Sequence, residues 1–326
     1  MTITAKAVNE LRQATGAGMM DCKKALQESG GDMDGAMDYL RAKGQKVAAK
    51  RADRDANEGT VVALTEGNKG WLLAISSETD FVAKNEGFVA LVNQIANLAK
   101  DNDAKTVEDV TKLTIDGQTV AERLVAETGK VGEKIEVVDY RVIEGENLTS
   151  YVHAGSKIGV LVSYKDGGKD GGDQFFRSIA MHIAAMKPMI LDPSEFDEDF
   201  VTKETESLRA QIVTENETNE RENLGKPQKN VPDYASRRQL TPEVLKAQEE
   251  KIKEQLKAEG KPEKIWDKIV PGKMDRYIAD NTLLDQERCL NSQFFALDDT
   301  KTVAQAVKDF HDDAEIVEFA RVSVSS

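Results

Sequence analysis

Long apolar runs are missing from this sequence. No stretch of 18 or more apolar residues occurs, which excludes a membrane-spanning helix as the reading of any segment. The first residues, Met1-Thr2-Ile3-Thr4-Ala5-Lys6, contain no apolar block of the signal-peptide kind. Cysteine is scarce. Cys22 and Cys289 lie far apart, so neither a disulfide framework nor a zinc-ligand spacing can be written, and a reducing cytoplasm is the expected compartment. A surplus of positive charge is lacking too. The 326 residues carry 44 Lys and Arg against 58 Asp and Glu, a net charge of −14 that repels phosphate backbones and argues against nucleic-acid binding by the chain as a whole. Histidine occurs three times, too rarely for a histidine-rich metal site.

The remaining composition is that of an ordinary globular protein, 40% hydrophobic and 31% charged, at a length that suits about two domains. Charge is uneven along it. Residues 1–56 hold 10 Lys and Arg and 8 Asp and Glu, net +2, with Arg41, Lys43, Lys46, Lys50, Arg51 and Arg54 in succession. That run reads either as a solvated linker or as a contact for an acidic partner.

The first 45 residues predict three short helices. Thr4 caps the first, which ends at Thr15-Gly16; the second carries Cys22, Ala25 and Leu26 and ends at Gly30-Gly31; Asp32 caps the third, which Gly44 should end. The polar stretch 46–58 then reads as a linker. Two apolar runs, Thr60–Thr65 and Trp71–Ser76, flank a glycine-bearing turn and predict a hairpin. Helices are expected over Phe88–Lys100 and 119–128, and a strand over Lys134–Ile143. A shift of 87 residues carries Trp71–Ser76 onto Ile158–Ser163 and Phe88–Lys100 onto Phe175–Lys187, which implies two related α+β subdomains with antiparallel sheets. Between 192 and 262 the strand signals stop. The stripes Phe196, Phe200, Leu208, Ile212 and Leu245, Ile252, Leu256 predict two antiparallel helices that bury against each other as a projecting hairpin. A strand at Gln293–Leu297, a helix at Val303–Phe310 and a strand at Glu315–Ser323 complete the chain. The expected divisions are 1–56, 57–144, 145–191, 192–262 and 263–326, with 145–191 and 263–326 forming one subdomain around the hairpin.

Catalytic constellations are hard to assemble from these residues. His182 sits within the apolar helix Ile179–Met186 with no ligand-type residue at helical spacing, so it reads as a core histidine; His153 lies in a strand-like run. A Cys22/His182 nucleophile pair lacks any local signature. Thr15-Gly16-Ala17-Gly18 lacks the Lys-Ser/Thr ending of a phosphate loop, and Asp166–Asp173 lacks calcium-loop spacing. Two apolar features remain. Thr79-Asp80-Phe81-Val82 places an aromatic in a strand-to-helix connector, where the repeat-equivalent residues are Gly167, Gly168 and Lys169. Phe81 and Val82 either pack beneath the connector or form an exposed wedge for a partner. Met19 and Met20 cannot both face so small a core, and adjacent flexible methionines suit a contact surface.

These motifs resemble the bacterial elongation factor Ts family. Val8–Arg12 with Thr15–Leu26 resembles its N-terminal signature, and Thr79–Asn85 its second. Ser150–His153, Ile158–Val162, Ala180–Pro188, Lys273-Met274 and Thr300–Val303 follow the family in order. The resemblance implies an N-terminal module like a ubiquitin-associated domain, a core of two related subdomains and an inserted coiled coil. It implies guanine-nucleotide exchange on elongation factor Tu, bound with GDP or empty, with no enzymatic step, cofactor, nucleic acid or membrane. By the family motif Thr79, Asp80, Phe81 and Val82 would dislodge Mg²⁺ from the Tu site, with Phe81 inserting and Asp80 supporting it. Arg12, Met19 and Met20 would contact the nucleotide-binding domain of Tu, and Val131, Gly132 and His153 would lie near the same interface. Two departures are expected: a longer hairpin over 192–262, and no C-terminal helical extension after Val322–Ser326. An enzyme built on His153 or His182 and a scaffold for ubiquitin-like partners are the competing readings; GDP release from Tu with and without the chain separates them.

Overall fold

The computed structural model describes residues 3–223 and 225–325. Its opening helices obey their local signals. The Thr4 hydroxyl accepts the Ala7 N–H at 3.2 Å to start α1 (Ala5–Thr15), and α2 (Met19–Glu28) follows the glycine break. The Asp32 carboxylate accepts the Gly35 N–H at 2.7 Å to start α3 (Met33–Arg51). Val8, Leu11, Cys22, Ala25, Leu26 and Ala36 fill the small core between them. The expected stop at Gly44 does not occur: α3 continues to Arg51 and takes in half of the expected linker. Gly44 is buried, and its bare Cα is a packing surface within a continuous helix.

Next come β1 (Glu58–Glu66) and β2 (Lys69–Ser77), paired antiparallel around Gly67-Asn68. The chain then runs through α4 (Asp80–Ala83), α5 (Glu86–Asp101), α6 (Val107–Lys112), the short strands β3 (Thr114–Ile115) and β4 (Gln118–Thr119), α7 (Val120–Val131) and β5 (Glu136–Glu144). β5 joins β2, giving the order β1-β2-β5. Trp71, Leu73 and Ile75 face Phe88, Val92 and Ile95 of α5, while Leu72 and Ala74 face Leu161 and Val322. Both faces of β2 are therefore covered, the physical reason its sequence is an unbroken apolar run.

The second copy starts with β6 (Asn147–Val152), β7 (Ile158–Lys165) and α8 (Gly172–Met186), where the 87-residue shift carries β2 and α5 onto β7 and α8. Three helices interrupt it: α9 (Glu198–Arg221), α10 (Pro242–Ala258) and α11 (Trp266–Asp280). It resumes with α12 (Leu283–Arg288), β8 (Phe294–Phe295), β9 (Asp298–Thr302), α13 (Val303–Phe310) and β10 (Glu315–Ser323), the same order as α6 to β5. β10 completes a second three-stranded sheet, ordered β10-β7-β6, in which β6 and β7 pair antiparallel. The fold is thus mixed helix and sheet, of α+β class.

The chain forms two compact units. One runs through Ala184 and includes the strand from Ile316 onward; the other is Ala185–Glu315. In the second unit the expected partner of each stripe is corrected. Phe196, Phe200 and Leu208 pack with Ala235, Leu284 and Cys289, not with α10. Asn216 bonds the Lys229 backbone through both its amide atoms, at 2.8 Å each, and so holds the returning segment along α9. Ile252 and Leu256 pack on Trp266, Ile269, Val270 and Met274 of α11, a helix absent from the sequence expectation. Position 262 therefore falls between two packed helices.

Candidate functional site

β2 ends at Ser77, and two residues later the chain makes the single turn α4. Thr79 is fixed from several sides. Its hydroxyl donates to Glu133 Oε1 at 2.7 Å, its N–H donates to Glu133 Oε2 at 3.0 Å, and its carbonyl accepts the Ser77 hydroxyl at 3.1 Å. The far end is held by the Thr60 hydroxyl, which donates to the Ala83 carbonyl at 3.1 Å. Val82 turns inward and packs on the Trp71 cluster. Phe81 turns outward and is 84% exposed, the most exposed of the chain's large apolar side chains among the described residues. The two side chains thus divide the two readings of the connector: Val82 packs beneath it, and Phe81 does not. Beside Phe81, Asp80 pairs with Lys84 at 2.6 Å. The Lys84 hydrogen bond holds the Asp80 carboxyl below its ordinary range, and the Lys157 charge adds to the effect.

A second layer braces this turn. Both Glu78 oxygens accept from Arg51 at 2.7 Å, and the Lys134 N–H donates to Glu78 Oε1 at 2.7 Å. Burial pushes the Glu78 carboxyl upward, but the Lys134 N–H and the Arg51 guanidinium prevail and its pKa lies below the ordinary value. The end of α3 is thereby tied to the residue preceding Thr79. Farther along, α3 lies on α7 so closely that a Cβ on Gly129 would stand 2.7 Å from the Gly44 Cα. Gly132 ends α7 at φ +77°, a left-handed conformation that favours glycine, and the next residue is Glu133.

The expected site residues all lie in the unit that runs through Ala184. Gly132 adjoins the Thr79 clamp directly. Met19 and Met20 begin α2 and are both exposed, 59% and 72%; Val131 is 37% exposed. Arg12 is exposed in the last turn of α1, and its carbonyl accepts the Gly16 N–H at 2.8 Å. His153 is exposed at the β6–β7 turn with Tyr151 Oη 2.9 Å from its Nδ1. The same turn carries Lys157, paired with Glu58 at 2.5 Å. Among the described residues no hydrogen bond or ion pair joins Phe81 to Met19, Met20 or His153. His182 is buried in α8, and the Cys22 thiol lies 3.6 Å from the Ala17 carbonyl in the three-helix core, so the two are not a pair. No group of three or more His, Cys, Asp or Glu residues suited to a metal occurs among the described residues, and no described helix is long and apolar enough to cross a membrane.

Glu133 and Glu78 carry no signal in the sequence, and Arg51, legible there only as part of a basic run, turns out to pair with Glu78. Each sits in a charged stretch, and the Glu133–Thr79 contact spans 54 residues, so no local spacing signals it.

The family model described as Elongation factor TS matches residues 78–232 and 230–326. The chain belongs to this family. It is similar along its whole length to curated elongation factors Ts. It is 74% identical to that of Rhodopirellula baltica over 324 residues, covering 99% of each chain. It is 46% identical to that of Wolinella succinogenes over 331 residues, 98% of this chain and 93% of the relative. It is 47% identical to that of Flavobacterium johnsoniae over 325 residues, 99% of each. Membership gives the chain its function, guanine-nucleotide exchange on elongation factor Tu during translation elongation. An exchange factor makes and breaks no covalent bond, so the site needs surfaces and not a nucleophile.

Proposed function

We propose that Thr79-Asp80-Phe81-Val82 is the element of this chain that disturbs the Mg²⁺ and phosphate contacts of Tu·GDP, with Phe81 as the inserting side chain. The observation that carries this reading is the exposure of Phe81 on a single turn fixed at both ends. Because the backbone bearing the phenyl is already fixed, insertion costs little backbone freedom, and an interface anchor of this kind contributes about 2 kcal/mol or more. Asp80, restrained by Lys84, keeps a negative charge beside the wedge. Val82 anchors the turn in the core, and Thr79 transmits the hold of Glu133.

Arg12, Met19 and Met20 dock the three-helix module, 1–56 and ubiquitin-associated in type, on the nucleotide-binding domain of Tu. Val131, Gly132 and His153 extend the same contact. The partner is Tu in its GDP-bound and nucleotide-free states, met in the cytoplasm without nucleic acid or membrane; the net charge of −14 supports that restriction. Exchange then follows from linkage. A surface that favours the Tu state holding GDP poorly must itself be weakened by GDP to the same degree. The test is release of labelled GDP from Tu with and without this chain. Accelerated release supports the reading, and an unchanged rate at saturating chain contradicts it.

A further inference from the structure

Between the three-helix module and α7 lies a cleft of about 120 Å³, continuous through Arg41, Gln118 and Ala126 with a neighbouring hollow of about 280 Å³. Its walls carry four cations from two helices: Arg41 and Lys43 of α3, and Arg123 and Lys130 of α7. Asp21 is the one carboxylate lining the smaller hollow, and Glu122 the one lining the larger. Four cations against two carboxylates line these walls, in a chain of net charge −14.

The four cations are not equivalent. Lys43 pairs with Asp21 at 2.5 Å, Lys130 with Glu127 at 2.9 Å and Arg41 with Asp38 at 3.2 Å. Arg123 has no hydrogen-bond or ion-pair partner among the described residues, and its Nε is buried. The Nη nitrogens of this half-buried side chain are not closed off in the same way, and a guanidinium on the cleft wall without an acceptor keeps donors that an incoming oxygen can take up. Gln118 adds an amide to the same walls, while the Thr15 hydroxyl there already donates to the Leu11 carbonyl at 2.7 Å.

We propose that this cleft binds a phosphoryl anion, with Arg123 as its principal partner and Arg41, Lys43 and Lys130 as the surrounding field. A tetrahedral dianion presents several acceptor oxygens at once and can be shared between opposite walls, which guanidinium groups suit by geometry. The smaller hollow takes the phosphoryl group, and the larger one leaves room for a substituent on it. Bound there, the anion would join α3 to α7 and so fasten the module bearing Met19 and Met20 to the helix that ends beside Glu133.

The experiment titrates the full chain with inorganic phosphate, and in parallel with pyrophosphate and a nucleoside monophosphate. Thermal stability and the amide resonances of Gln118 and Gly129 are followed at constant ionic strength set with chloride. Inorganic phosphate should raise the melting temperature saturably and shift both resonances, and Arg123→Gln should move the midpoint at least tenfold higher. A monophosphate midpoint at or below that of phosphate identifies a phosphate ester as the ligand class; a higher one identifies the free anion. Arg41→Gln, which alters an exposed side chain, should also raise the midpoint, and it decides the matter if Arg123→Gln does not fold. A response equal to that of chloride, or unchanged in the variant tested, overturns the proposal.

Discussion

Glu133 does at the scale of one residue what a longer loop would need several contacts to do. Its carboxylate takes both the N–H and the hydroxyl of Thr79, so the turn bearing Phe81 starts from a fixed point. Glu133→Ala leaves two partly buried donors without an acceptor, and stability should fall by about 1–3 kcal/mol. Stimulated GDP release should slow as well, because the wedge loses its registration. Thermal melts and exchange assays of the variant check this, and wild-type values in both would contradict the role. A second residue gives a pH signature. Burial raises the Asp285 carboxyl above its ordinary value, although the Arg237 N–H donates to it at 2.6 Å; its other oxygen has no partner among the described residues. With the folded pKa raised, the native state binds the proton more tightly, and stability contributed by this group is lost as pH rises from the unfolded pKa through the folded one. Asp285→Asn, neutral throughout, should therefore melt higher than wild type at pH 7. The gap should close as pH falls below the folded value. A gap that persists or widens on acidification would contradict this.

At the scale of elements, the close approach of α3 and α7 decides where the three-helix module sits. A side chain at Gly129 meets the Gly44 backbone, which cannot yield as a flexible side chain could. Gly129→Val should cost about 1–3 kcal/mol of stability and weaken Tu binding. A melt and a Tu titration check it, and unaltered binding would show that the module docks without this contact. The same elements show what sequence can and cannot carry. Caps at Thr4 and Asp32, the Gly67-Asn68 hairpin, the 87-residue repeat and the helix Val303–Phe310 are local or periodic signals, and the structure has each of them. Gly44 misled because a packing glycine and a stop glycine look alike in one sequence. The stripes of α9 and α10 were legible as stripes, but periodicity names a face and not its partner; the partners are Ala235, Leu284 and Cys289 for one and α11 for the other. Phe81 was noticed because an aromatic in a connector is unusual, while its brace at Glu133, 54 residues away, left no local trace.

At the scale of the whole molecule, the pairing of α10 with α11 changes what can be removed. Excising residues 194–261 strips Val270, Trp266 and Ile269 of their cover. It also removes the Asp233 and Tyr234 N–H groups that Asn281 accepts and the Arg237 N–H that Asp285 accepts. The excised chain should lose more helical circular dichroism than the deleted helices account for, because α11 unravels, while the unit through Ala184 stays folded. A loss matching α9 and α10 alone would show α11 to be independent. The residues proposed for exchange all lie in the unit through Ala184, and the proposed Phe81 wedge is the centre of the account. It is tested most directly by the maximal rate of GDP release from Tu with saturating Phe81→Ala protein. That side chain is already 84% exposed, so the variant should melt like wild type. Loss of an anchor contributing about 2 kcal/mol should slow release roughly thirtyfold. A maximal rate equal to wild type, with an unchanged melt, would contradict the assignment of exchange to the Phe81 wedge.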